Sequence, residues 1–141
     1  MPKIFTSDTQ KTGEIGENIA VKFLMKHDFK ILDRNYTKKW GEIDIVAQKK
    51  NKLYFVEVKS VSRETLNIFM PKSYDDNDER YEHRPEDNMH TQKLKRLSRV
   101  IQTYILAKKL DAVEWQVDLL VVYLSLKERK ARVKVVSDII L

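Results

Sequence analysis

Asp44, Glu57 and Lys59 stand inside EIDIV and FVEVK, two runs otherwise composed like hydrophobic strands. In an extended chain residues two apart point the same way, so Glu57 and Lys59 share one face while Val56 and Val58 take the other. Where the register of adjacent strands suits, Asp44 joins Glu57 on that face. Two carboxylates directed into one space resist ionisation unless a cation lies between them. Mg²⁺ or Mn²⁺ meets that demand as a hard ion with oxygen ligands, for which Asp44, Glu57, the Val58 carbonyl and phosphate oxygens form a suitable set. The chemistry is then metal-assisted phosphoryl transfer, with Lys59 placed to stabilise developing negative charge or to help position the nucleophile.

Glu17 extends the set. It lies in GEIGENIAVKFLMKHDF, in line with Ala20, Val21 and Leu24 at helical spacing. A carboxylate there sits where the helix meets its sheet, and can ligate the ion or hold one of its waters. Taken singly, each residue also has a plainer explanation. An E-x-K pair on a strand is ordinarily a solvated ion pair of little energetic value. Glu17 alone can be a border residue whose carboxylate reaches water, or an acid favoured by the helix macrodipole. Asp118, the lone acid of WQVDLLVVYL, is expected to bond a neighbouring backbone amide.

The elements that must position these residues follow from periodicity. A helix is predicted from Gly13, with Ile15, Ile19, Ala20, Phe23, Leu24 and His27 recurring on one side. FKILDRNY (29–36) is predicted as a strand, followed by TKKWG, a turn with Gly41 as its most permissive residue. Residues 42–48 and 53–60, joined by KKNK, form an antiparallel hairpin or meander. A second helix spans HTQKLKRLSRVIQTYILAKKL, with Leu94, Leu97, Ile101, Tyr104 and Ile105 as its stripe and Lys93, Lys95, Arg96 and Arg99 on other faces. WQVDLLVVYL is a buried strand, and ARVKVVSDIIL a last strand with an interfacial tail. Residues 1–11 carry no period and are expected as a flexible arm. Residues 61 to about 88, with Pro71, Pro85 and DDNDE, are expected as a long polar insertion.

Composition bounds these assignments. The 141 residues suit one domain, 1–141, and a composition of 42% hydrophobic and 34% charged residues is that of a globular chain with a core. The absence of cysteine excludes disulfides, thiolate nucleophiles and thiolate zinc sites, and His27, His83 and His90 share no metal spacing. Any metal would be held by oxygen. A net charge of +6 favours a polyanionic partner. No apolar run approaches the roughly 20 residues of a membrane helix, and the opening MPKIFTSDTQK lacks a signal-like apolar core, so a cytoplasmic protein without membrane contact is expected.

The order of GEIGENIAVKFL, RNYTKKWGEIDIVA, LYFVEVKS and the basic helix beginning HTQKLKRL resembles the PD-(D/E)XK nuclease superfamily. More closely, these four motifs look like the YraN-like family of small bacterial proteins, itself similar to archaeal Holliday junction resolvases. The resemblance covers most of residues 13–123. It implies a restriction-endonuclease-like α/β fold, a mixed central sheet flanked by helices in the order helix, three strands, helix, two strands. It further implies Asp44 and Glu57 as metal-binding acids, Lys59 as the motif lysine and Glu17 as the acid of the leading helix. Lys93 matches a helix lysine of the YraN-like pattern and Gln92 resembles a polar position used in related resolvases, so both are expected at phosphate, and Arg96, Lys38 and Lys39 complete the expected nucleic-acid contacts. The implied activity is Mg²⁺- or Mn²⁺-dependent hydrolysis of DNA, branched or structured DNA included, by a homodimer on the analogy of the resolvases. The insertion is longer than the family's usual crossing, and its acidity would repel a nucleic-acid backbone. Two other functions compete: a non-catalytic nucleic-acid-binding or adaptor protein on the same fold, and a protein-interaction module built on the insertion and the SDIIL tail.

Overall fold

A computed structural model of the chain describes residues 8–63, 91–110 and 112–141. Its elements follow the expected order: α1 (Asp8–Lys26), β1 (Lys30–Lys38), β2 (Gly41–Lys49), β3 (Lys52–Ser62), α2 (Thr91–Ala107), β4 (Glu114–Ser125) and β5 (Lys130–Val136). The strands form one mixed sheet in the order β1-β2-β3-β4-β5, with β3 and β4 parallel and the other neighbours antiparallel. A parallel pair needs a long crossover, and α2 lies within it.

The two helices divide the core. On one face Ala20 and Leu24 of α1 pack on Ile45, Ala47, Val56, Leu120, Val122 and Leu124. On the other, Leu97, Val100, Ile101 and Tyr104 of α2 pack on Ile43, Val46, Leu53, Phe55 and Val117. β4 is buried without a break from Val117 to Ser125, as expected of a strand with a parallel neighbour and both faces covered. Leu119, Val121 and Tyr123 are covered in part by Val61, Val136 and Ile139.

Several boundaries differ from the sequence expectation. α1 starts at Asp8, so the expected arm 1–11 is shortened, and residues 1–7 lie outside the described residues. The polar DTQK turn carries no apolar period by which sequence could mark it, although an acid suits the positive end of a helix. β3 continues to Ser62 because it stays paired with β4 up to Ser62↔Leu124. Residues 64–88 of the expected insertion, DDNDE included, lie outside the described residues. The last strand ends at Val136: Asp138 adopts φ 56° and the amide of Ile139 donates to the Val117 carbonyl (2.7 Å), turning the tail back onto the sheet. Among the described residues no helix is long and apolar enough to cross a membrane.

Gly41 is not the permissive turn residue that TKKWG suggests, since no described glycine has positive φ. It opens β2, where a Cβ would lie 2.9 Å from Val100 Cγ2 and 3.4 Å from the Arg96 carbonyl oxygen. Glycine is there because α2 crosses close above. Gly16 does the same for α1: a Cβ would strike the Ser60 side chain. Both close approaches fix helices beside the segments that carry the candidate acids.

Candidate active site

The β2–β3 ladder runs from Lys49↔Lys52 to Ile45↔Val56 and goes no further, while β3 remains paired with β4. One more step would have set Asp44 opposite Glu57. The parting leaves the Val58 N–H facing β2, and it donates to Asp44 Oδ2 at 2.8 Å. The carboxylate thus takes up a backbone donor that the ladder has released, as buried amides require.

The parted strands floor an open cleft of about 930 Å³, lined by Gly41, Glu42, Asp44, Glu57 and Val58 from the sheet and by Gln92, Lys93, Arg96 and Leu97 from α2. Leu97 and Val100 anchor α2 in the core, so its first turns project polar residues over the acids. Glu57 is only 5% exposed. Its Oε2 lies 3.8 Å from Lys93 Nζ, and its Oε1 is buried with no hydrogen-bond partner among the described residues.

Burial sets the electrostatics. Glu57 is pushed up to about 8, first by desolvation and then by the negative charge of Asp44, with Lys93 opposing the shift. Asp44 is raised to about 6, again mainly by desolvation, which the Val58 hydrogen bond partly offsets. Glu17 and Glu42 add to the repulsion at Asp44. Two acids with raised proton affinity and an unpartnered buried oxygen form a donor set suited to a small divalent cation. Asp44 and Glu57 are the residues that would hold one. Among the described residues no three His, Cys, Asp or Glu side chains are grouped to hold an ion together, and Mg²⁺ ordinarily takes one or two carboxylates and keeps several waters.

The model of the uncharacterised protein family UPF0102 matches residues 16–136, from the close-packed Gly16 of α1 to the end of β5. The chain belongs to UPF0102. It is 36% identical to a UPF0102 protein of Campylobacter hominis over 108 residues, 77% of this chain and 80% of that one. A UPF0102 protein of Dictyoglomus turgidum is 32% identical over 120 residues (85% and 88%), and one of Flavobacterium psychrophilum 35% over 118 (84% and 82%). This is the YraN-like family that the four motifs resemble.

In this UPF0102 chain the expected residues divide into three groups. Asp44, Glu57, Val58, Gln92, Lys93 and Arg96 come together in the cleft. Glu17 does not line it: its Oε1 is bound by Arg34 of β1 at 3.1 Å, although its charge is felt at Asp44. Lys59 is exposed and also outside the lining, two residues further along β3 than Glu57. Lys38 and Lys39 are exposed at the β1–β2 turn, with Lys38 Nζ 5.2 Å from the centre of the Tyr36 ring. Glu42 is the residue that sequence reasoning missed. It lines the cleft and raises both Asp44 and Glu57. The signal was present in GEID, where Glu42 and Asp44 are two apart on one strand.

Proposed function

We propose that this UPF0102 chain is a metal-dependent endonuclease that hydrolyses DNA phosphodiester bonds, with branched or structured DNA as the substrate class that its resemblance to junction resolvases suggests. One observation carries this proposal: half-buried Asp44 and buried Glu57 stand where β2 and β3 part, Glu57 Oε1 has no partner among the described residues, and Gln92, Lys93 and Arg96 of α2 stand across the cleft. An apolar pair would serve stability better there, so the two acids call for a ligand. Asp44 and Glu57, with the Val58 carbonyl, would hold Mg²⁺ or Mn²⁺, which supplies charge neutralisation and an acidified water when bound. Lys93, Arg96 and Gln92 would bind the flanking phosphates, with Lys38 and Lys39 extending the basic surface. Lys59 and Glu17 keep the roles the resemblance implies, Lys59 toward the anionic transition state and Glu17 through a water. Membership of the PD-(D/E)XK superfamily, a homodimer and a role in repair or recombination belong to the same proposal.

A non-catalytic nucleic-acid-binding protein is the second proposal, favoured by the exposure of Lys59 outside the cleft. Cleavage of linear, single-stranded, flapped and four-way-junction DNAs with Mg²⁺ or Mn²⁺ separates the two, run beside Glu57→Ala and Lys59→Ala. The nuclease proposal expects cutting by wild type that Glu57→Ala abolishes. Salt-sensitive binding of a junction that is never cut would favour the second.

A further inference from the structure

Lys93 is an odd residue for its position. It stands in the first turn of α2, which contains no acid, although the positive end of a helix favours acids there and disfavours cations. Its ammonium is instead aimed at an acid: Nζ lies 3.8 Å from Glu57 Oε2, and Lys93 is the cation whose charge opposes the mutual repulsion of Asp44 and Glu57. The two ends of this pair differ in environment. The Glu57 side chain is 7% exposed and that of Lys93 53%, so the acid is fixed while the lysine can withdraw into the open cleft. At 3.8 Å the contact is at the loose end of ion pairing, and a half-exposed pair of this kind is weak. A divalent ion, with twice the charge and direct coordination, outcompetes it.

We propose that Lys93 is a tethered counter-ion: it pairs with Glu57 while no cation is bound, is displaced by a divalent cation, and is then available to a phosphate of the nucleic acid. The proposal rests on the metal-site reading above. It makes cation and phosphate binding mutually reinforcing, since each favours the withdrawn lysine.

The test is calorimetric titration of Mg²⁺ into wild type, Lys93→Met, Lys95→Met and Glu57→Gln, at about pH 9 so that protons compete little with the metal. Lys95 is also exposed on α2 but does not line the cleft, so its variant removes the same charge without the contact. Lys93→Met should bind Mg²⁺ roughly 3- to 10-fold more tightly than wild type, Lys95→Met like wild type, and Glu57→Gln not measurably. If wild type binds and Lys93→Met matches Lys95→Met, the counter-ion proposal fails while the metal site stands. If wild type binds no better than Glu57→Gln, the metal site fails and takes the proposal with it. A second titration, with inorganic phosphate, reads the hand-over. Mg²⁺ should raise phosphate affinity more in wild type than in Lys93→Met, and an equal gain in both overturns it.

Discussion

Glu57 and Asp118 are both buried acids, 5% and 8% exposed, on the parallel neighbours β3 and β4. Their surroundings differ in kind. Asp118 Oδ1 accepts from Gln116 Nε2 at 2.7 Å and from the Asp138 amide at 3.0 Å, so the fold supplies its partners and the acid latches the C-terminal tail in return. Glu57 has a second acid for a neighbour, a lysine 3.8 Å away and one oxygen with no partner among the described residues. Burial alone therefore does not distinguish a structural acid from one kept for a ligand. The inventory of partners does, because a buried polar atom without one costs stability that a bound ligand would restore.

The widest separation between the two regions is expected in activity. Glu57→Ala should lower Mg²⁺-dependent cleavage at least about 100-fold without lowering the melting temperature, whereas Asp118→Asn should leave cleavage unchanged. An active Glu57→Ala would erase the distinction. Asp44→Asn should likewise lose activity while keeping stability, since its amide oxygen can still accept from Val58, and Asp44→Ala should be less stable than Asp44→Asn.

The next expected effect is on stability against pH. Asp44 and Glu57 are raised to about 6 and about 8, so in the folded state they hold protons that the unfolded chain releases. Their contribution is fully present below about pH 4 and is lost as pH rises through those two values, on the order of several kcal/mol. Urea denaturation across this window should show the decline in metal-free wild type, a smaller one with Mg²⁺ and a smaller one again in Glu57→Gln. Asp118→Asn should retain the wild-type slope; a flattened slope there would mean that the two acids are not separable.

Asp118→Ala, by stranding the Asp138 amide and the Gln116 side chain, should cost about 1–3 kcal/mol of unfolding free energy. Faster amide exchange at Asp138 and Ile139 would locate that loss at the tail. The smallest effect belongs to Glu42, whose charge raises both cleft acids. Glu42→Gln should lower both pKa values and shrink the pH-dependent loss accordingly. Carbon-detected NMR titration of the carboxyl groups would measure it.

Local pattern was enough for the elements and for part of the site. The periods of FVEVK and EIDIV placed Asp44 and Glu57 on strands, and the stripe Leu94, Leu97, Ile101, Tyr104 oriented α2. Asp118 was legible too, because an acid in an unbroken apolar strand has to find a backbone partner. The alternation rule grouped Lys59 with Glu57 on one face, as the unbroken β3–β4 register has them, but it does not say how far along the strand the cleft reaches, and Lys59 lies outside its lining. Glu17 was correctly set where α1 meets the sheet, yet Arg34 of β1, distant in sequence, holds its carboxylate.

What the sequence by itself determined was the order of elements, the family and the acids placed in apolar strands, because these depend on residue type and spacing along the chain. Only the tertiary structure decided which of those acids keeps an oxygen without a partner among the described residues. The β2–β3 ladder ends at Ile45↔Val56, Gly41 admits α2 close to the sheet, and Lys93 and Glu42 thereby face Glu57 and Asp44. Those are contacts between segments far apart in the chain, and no local period encodes the point at which two strands part.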